Sequence, residues 1–454
     1  MNVNVINQAL LSGTIDLEGV FPHLDTLKRS PIVFRLDIGL PQLPVEPGMI
    51  FIRGARQYGK STWLEQRLFE TVTQFGPGSG LYLNGDEIRN ERDLIEQLRL
   101  ILPLFNPQSR VRRIFIDEIT AIDNWQMALK RLADAGELRG VLVVTTGSKA
   151  TDLRRGTERL PGRKGKLGRS WYHFPPLAYG EFLRAGGDRL ERDAVLAYVL
   201  SGGCPVASAE MIAHGIVPEY ITEMVRDWIY GEVAASGRNR SSLLGVFDTI
   251  SRYGGNPCGQ AKVAREAGLA NNTVAAGYLE LLMDLMCIGT ATAWDAQKKQ
   301  LLHRKPVKYH FTNLLAAVAW HPDRPESVGD FKLMAPQVQG AWYEWAVAQE
   351  LWRRAALDGE EFPERMAFWQ GGGHELDFVL SDSEFLEVKR GASSPMEFSW
   401  VPKTFPGGYL TVINTQRFEA GFCKGITLED FLLGECIDHR ASTRNLADNA
   451  QTWL

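Results

Sequence analysis

The stretch Gly54-Ala55-Arg56-Gln57-Tyr58-Gly59-Lys60-Ser61 fits the spacing G-x-x-x-x-G-K-[ST] at every fixed position. An apolar run, "GMIFIRG", precedes it. The sequence "STWLEQRLFETVTQF" follows, with Trp63, Leu64, Leu68 and Val72 near one helical face. Strand, glycine-containing loop and helix in that order limit the fold more than any other feature of the chain. The glycines let backbone N–H groups curl around an anion, and the helix N-terminus adds its partial positive charge. Residues Gly54, Ala55, Arg56, Gln57, Tyr58, Gly59, Lys60, Ser61 and Thr62 are therefore expected to cradle the phosphates of ATP. Lys60 is expected on the β- and γ-phosphates, and the Ser61 hydroxyl on Mg²⁺.

Such a loop needs a second element, a buried strand ending in acids. "RRIFIDEI" supplies Ile114, Phe115 and Ile116, then Asp117 and Glu118 at the tip. Ligands of parallel α/β sheets sit outside the strand C-termini. Asp117 is expected to bind Mg²⁺ through its water shell and Glu118 to orient the attacking water. A third apolar run, "GVLVVTTGS", ends in Thr145, Thr146 and Ser148 after a predicted helix over 124–135. Thr146 is expected to sense the γ-phosphate; the alternative is an ordinary strand-to-loop transition.

A chain of 454 residues exceeds one ordinary core, which implies two to four domains. With 44% apolar and 23% charged residues it has the composition of a soluble globular protein. The net charge of −4 means that any DNA-binding face must be a local basic patch. Cys204, Cys258, Cys287, Cys423 and Cys436 are dispersed without a C-x-x-C pair, as expected of reduced thiols in a cytoplasmic protein. The start, "MNVNVINQALLSG", lacks a signal-peptide pattern, and no apolar run is long enough to span a membrane. No membrane partner is expected.

At this point the chain resembles a family. "FIDEI", "NW", "LKRLADAG", "TTGSKA", "GRSWYHFPPLAYGEFL" and "SGGCP" follow in order, and "GAWYEWAVAQEL" and "ELDFVLSDSEFLEVKRG" lie further on. Together they resemble bacterial and archaeal AAA+ ATPases that carry a C-terminal domain of unknown function. The resemblance covers about residues 45 to 415. It implies self-association into a ring or other oligomer, with an arginine of one subunit touching its neighbour's γ-phosphate. Arg169 is the matching residue. Because "LRRGTERLPGRKGKLGR" is so basic, Arg163 is a second candidate, and a solvated or DNA-contacting loop is the alternative.

Residues 189–236 read as helices, a lid for the nucleotide core. "GQAKVAREAGLANNTVAAGYLELLMDLMCI" then reads as helix, turn, helix. Ala261, Val263, Ala264 and Leu269 give the first apolar stripe, Val274, Tyr278, Leu281, Leu282 and Leu285 the second, and Asn271 or Asn272 is the cap. Two strand-like pieces joined by a basic turn follow, a winged-helix arrangement. Lys298, Lys299, Arg304, Lys305 and Lys308 are the expected phosphate contacts of the wing; a packing module is the other reading.

"HELDFVLSDSEFLEVKRG" carries the remaining chemistry. Side chains alternate along a strand, so Glu387 and Lys389 share a face while Leu386 and Val388 turn to the core. Asp377 on the adjoining strand can converge on them. This is the D…E-x-K pattern of PD-(D/E)xK nucleases: Asp377 and Glu387 hold Mg²⁺, and Lys389 activates water or stabilises charge. Glu344, in a preceding helix, is the expected additional metal ligand, and Glu375 shares the face of Asp377. Such a domain either cuts DNA or retains the fold as a binding platform.

The expected fold is α/β. A P-loop AAA+ parallel sheet (45–186) follows an N-terminal segment (1–44) and carries a helical lid (187–240). A winged helix (241–315), a PD-(D/E)xK nuclease-like domain (330–435) and a tail (436–454) complete the chain. The expected activity is ATP-dependent DNA processing, by binding or by cleavage, and the likeness of the nuclease-like domain to junction resolvases makes branched DNA the expected substrate class. The alternatives are a nucleotide-dependent assembly switch, or a DNA-stimulated motor with a silent nuclease-like domain.

Overall fold

The structure, a computed structural model, describes residues 3–148 and 165–434. The basic residues Arg154, Arg155, Arg159, Arg163 and Lys164, and the tail 436–454 with Cys436, lie outside the described residues. The chain divides into two units, Met1–Pro175 with Ala356–Gly359, and Pro176–Ala355 with Glu360–Leu454.

The first unit is built on five parallel strands: β1 (Gly48–Gly54), β2 (Gly80–Asn84), β3 (Arg113–Asp117), β4 (Leu142–Gly147) and β5 (Trp171–Phe174). Parallel neighbours need long crossovers. Here α3 (Lys60–Phe75), α4 (Glu91–Ile101) and α5 (Trp125–Asp134) lie between successive strands. Burial on both faces explains why β3 and β4 read as continuous apolar runs rather than alternating ones. Phe51, Leu83, Leu98, Ile116 and Trp125 belong to one core cluster. The sheet order is β2-β3-β4-β1-β5. Chain order reverses at β1, so the loop after β1 opens beside the tips of β4 and β3.

The N-terminal segment, for which the sequence predicts no structure, contains α1 (Val3–Ser12) and α2 (Pro22–Arg29). The Asn7 amide imitates a neighbouring strand. Its Nδ2 donates to the Tyr82 carbonyl at 2.9 Å, and its Oδ1 accepts from the Tyr82 N–H at 2.9 Å. Both backbone groups of Tyr82, on the outer side of β2, are thereby satisfied, which blunts an edge otherwise open to strand pairing. Buried Glu65 of α3 caps α2, accepting from the N–H groups of His23 and Leu24 at 3.1 Å each.

The second unit begins with helices, among them Ala194–Ser201, Pro205–His214 and Glu219–Ala235, where a lid is expected. Helices Gln260–Glu266 and Asn272–Asp284 lie where a helix-turn-helix is expected, and the Asn271 side chain caps the second by accepting from the Val274 N–H at 3.0 Å. Tyr278 and Leu282 are buried as expected, but Val274 is exposed, and Ala275 and Leu279 take its place in the stripe.

Strands β6 (Ile288–Asp295), β7 (Gln300–Leu301) and β8 (Lys308–Phe311) follow, with β7 and β8 both antiparallel to β6. They do not form an isolated wing. β6 pairs in parallel with β9 (Arg365–Gly371), and β9 with β10 (His374–Leu376), so segments 241–315 and 330–435 share one sheet. A second mixed sheet runs β11-β12-β13-β15-β14: β11 (Phe378–Val379), β12 (Glu384–Val388), β13 (Tyr409–Ile413), β14 (Phe418–Ala420) and β15 (Cys423–Ile426). Asp377 alone separates β10 from β11, the point at which the chain passes from one sheet to the other.

Among the described residues no helix is long and apolar enough to cross a membrane. Cys204, Cys258, Cys287 and Cys423 are buried free thiols.

Candidate functional site

In the first unit the loop after β1 turns into α3 through Gly59, whose φ of 96° is a left-handed conformation that glycine adopts without a Cβ penalty. Gly54 is needed for a different reason. A Cβ there would stand 2.4 Å from the Phe174 Cβ, so β1 and β5 approach too closely for a larger residue. Lys60 is buried, its Nζ donating at 3.0 Å to the carbonyls of both Gly54 and Ala55 and lying 3.7 Å from Glu118 Oε1. Burial lowers the pKa of its ammonium, and Glu118 and Asp117 oppose that shift.

The tips of β3 and β4 are locked together. Thr146 Oγ1 donates to Asp117 Oδ1 and accepts from the Glu118 N–H at 3.0 Å. Glu118 Oε2 accepts from both the N–H and the hydroxyl of Ser148, at 3.1 and 3.0 Å. Glu118 itself has φ 47°, a conformation uncommon for a residue with a side chain and concentrated at functional sites. Thr145, by contrast, donates to the Ile50 carbonyl at 3.3 Å and is fully buried, a structural hydroxyl of the sheet. Lys60, Ser61 and Asp117 therefore stand at one end of the sheet, the donor types a magnesium-bound triphosphate requires.

Arg169 is not free in this chain. Its Nε donates to the Trp171 carbonyl at 2.6 Å, its Nη1 to Leu357 at 2.8 Å and its Nη2 to Ala356 at 2.7 Å, with the guanidinium over the Tyr172 ring at 4.4 Å. The expected role at a neighbour's phosphate would require those three bonds to break. The short basic motif hides this because two of the acceptors, at Ala356 and Leu357, are main-chain carbonyls far along the sequence.

The second unit gathers the D…E-x-K residues where its two sheets meet. Asp377 Oδ2 accepts from the Val388 N–H at 2.9 Å, and Glu387 Oε2 accepts from the Asp377 N–H at 3.3 Å, so the acids are fixed by each other's strands. Lys389, one residue past β12, places Nζ 2.5 Å from Glu387 Oε1. Leu386 is buried as expected, while Val388 is only partly so. Glu344, on the helix Pro336–Asp358, joins the cluster as expected.

Lys308 departs from its expected place. It does not lie on the surface of a wing; it is 0% exposed, with Nζ 2.9 Å from Asp377 Oδ1, 3.3 Å from Glu344 Oε1 and in contact with Glu375 Oε1. Every residue of β8 is buried, so a lysine there must find a counter-ion inside. Lys298, Lys299, Arg304 and Lys305 remain exposed as predicted. His310, two residues on, brings Nδ1 to 3.6 Å from Glu344 Oε1; burial and then Lys308 push its pKa down to about 3. Burial, then the nearby Asp377, raises the pKa of both Glu344 and Glu387. Burial acts to lower that of Lys308, but Glu344, Asp377 and Glu375 together outweigh it and the net shift is upward. Sequence reasoning missed Lys308 and His310 as members of this cluster, because the basic run that precedes them reads as uniformly exposed.

Residues 46–183 match the family model described as an AAA domain. Over 393 residues the chain is 25% identical to the uncharacterised protein MJ1544 of Methanocaldococcus jannaschii, covering 82% of this chain and 80% of that one. A second uncharacterised protein of that organism, MJ1637, is 28% identical over 140 residues, 30% of this chain and 27% of that one. Among solved structures, the Walker-type ATPase paby2304 of Pyrococcus abyssi aligns over 67% of this chain and 95% of its own, at 14% identity and a TM-score of 0.41. The loop, the acidic strand tip and the five parallel strands all lie within residues 46–183, the stretch that is similar to the AAA-domain model.

Proposed function

We propose that the chain binds and hydrolyses ATP in its first unit and uses that cycle to act on DNA through its second. The observation that carries the ATPase reading is the meeting of Lys60, Asp117, Glu118 and Thr146 at the strand tips. Mg²⁺, when bound with the nucleotide, neutralises charge on the β- and γ-phosphate oxygens. Ser61 and Asp117 are the residues to hold it. Lys60 leaves its two loop carbonyls to meet the phosphates. Glu118, clamped by Ser148, orients the water, and Thr146 couples Asp117 to the same strand tip. Oligomerisation and an intersubunit arginine belong to this reading through the resemblance, with Arg169 as the candidate.

The DNA part rests on the helix-turn-helix reading, the exposed basic turn Lys298–Lys299 with Arg304 and Lys305, and the D…E-x-K arrangement of the same unit. The nuclease-like description of the C-terminal region draws on its order of helix, antiparallel strands and parallel β12–β13 pair around Asp377 and Glu387. One assay with two readouts tests both parts. ATP release and strand cleavage are followed together on labelled linear duplex, single-stranded and four-way-junction DNA, beside Lys60→Ala and Glu387→Ala. DNA-stimulated ATP release that is lost in Lys60→Ala supports the reading. ATP turnover indifferent to every DNA form supports a nucleotide-dependent assembly switch instead.

A further inference from the structure

The acidic cluster of the second unit already contains a cation. Lys308 Nζ lies between Glu344 and Asp377 and touches Glu375, so two of the three carboxylates expected to hold a metal, Glu344 and Asp377, turn to an ammonium instead. Two further surfaces close around it. The Phe368 ring centroid is 5.5 Å from Lys308 Nζ, and a Cβ on Gly255 would stand 2.4 Å from Glu344 Oε2, so the backbone presses on that carboxylate. Glu387 is satisfied separately, by Lys389 and the Asp377 N–H. Among the described residues, no group of three or more His, Cys, Asp or Glu side chains is arranged to hold a metal ion. As folded, the residues do not fit Mg²⁺.

We infer that Lys308 is a built-in counter-ion that takes the place of a divalent metal in the Glu344–Glu375–Asp377 cluster. The inference rests on the nuclease-like reading of this region and refines it: the chain keeps the fold as a DNA-binding platform whose acids are neutralised from within. A buried ammonium held by three carboxylates is costly to remove, because the acids it leaves are then unpaired. A hydrated divalent ion must displace it, repel it and shed its own water. Lys308 thus ties β8 to β10 and to the helix Pro336–Asp358, converting a reaction centre into a structural joint.

The test measures Mn²⁺ binding by electron paramagnetic resonance and calorimetry on the full chain, without nucleotide or DNA. A failure here is then distinguishable from a failure of the ATPase or DNA reading. The native chain is expected to take up no Mn²⁺ at the cluster. Lys308→Met combined with Glu375→Gln removes one positive and one negative charge and leaves Glu344, Asp377 and Glu387 to act as ligands. That variant is expected to bind one Mn²⁺ per chain, at least roughly tenfold more tightly than the native protein, and to lose it on adding Asp377→Asn. Stoichiometric Mn²⁺ in the native chain, abolished by Asp377→Asn alone, overturns the inference even if the double variant does not fold. A folded double variant that takes up no Mn²⁺ overturns it as well.

Discussion

Ser148 holds Glu118 by two hydrogen bonds to a single carboxylate oxygen, one from its backbone N–H at 3.1 Å and one from its hydroxyl at 3.0 Å. The residue expected to orient the attacking water is therefore aimed by the strand next to its own. Its orientation depends on a hydroxyl that the phosphate-loop spacing does not reveal.

Ser148→Ala removes one of those bonds and leaves the other. A hydrogen bond to a charged group is worth about 1.5 kcal/mol or more, so kcat for ATP is expected to fall by roughly tenfold. KM should change little, since the nucleotide contacts stay in place. Ser148→Thr, which keeps the hydroxyl, should restore most of the rate. An equal loss in both variants would reduce Ser148 to a packing residue.

Asn7→Ala leaves the N–H and carbonyl of Tyr82 without their partner at the sheet edge. Buried unsatisfied groups cost about 1–3 kcal/mol each, and a loss of at least about 2 kcal/mol in denaturant unfolding of the first unit is expected. Asn7→Asp should cost more, because its carboxylate faces the Tyr82 carbonyl. Unchanged unfolding in both would show that α1 does not protect β2.

His23 Nδ1 donates to Glu65 Oε1 at 2.6 Å, and that hydrogen bond, against the opposing effect of burial, raises its pKa above the usual 6.5. A raised histidine adds stability that is fully present below the unfolded pKa and is lost as pH rises through the folded one. The stability difference between the native chain and His23→Gln should therefore be larger near about pH 5.5 than near about pH 8.5. The side chain is partly exposed, so solvent screening keeps the effect small. A difference that grows with pH would reverse the assigned sign.

How much of this was legible in the sequence depended on the distance between interacting residues. The phosphate loop, the strand Arg113–Asp117 and the hydroxyls after Leu142 sit in short apolar runs with polar ends, and local pattern suffices for them. The helix cap was legible to within one residue, Asn271 or Asn272, for the same reason, and the structure selects Asn271. Lys308 was not: "KKQLLHRKPVKYHF" is a basic run, and nothing local separates the one buried lysine from its exposed neighbours. Its partners Glu344, Glu375 and Asp377 come from other elements, and the parallel β6–β9 pair that helps assemble them joins distant segments. Arg169 shows the same limit, since its acceptors at Ala356 and Leu357 are backbone atoms with no sequence signature.

Arg169→Lys separates two roles for that side chain. Lysine cannot reproduce three planar donors, so the first unit should lose about 1–3 kcal/mol of stability if the carbonyl contacts matter in solution. The readout is denaturant unfolding compared with single-turnover ATP hydrolysis. Intact stability with slowed hydrolysis that no longer depends on protein concentration would instead place Arg169 at a neighbour's nucleotide.

The most direct measurement is steady-state phosphate release from ATP and Mg²⁺ by the native chain, Lys60→Ala and Glu118→Gln, with nucleotide binding followed in parallel. The account predicts turnover in the native chain and none in either variant, with Glu118→Gln still binding ATP and Lys60→Ala binding it weakly. Near-native turnover in Lys60→Ala, or in Glu118→Gln, would contradict the assignment of the β1–α3 loop and the β3 tip as the hydrolytic site.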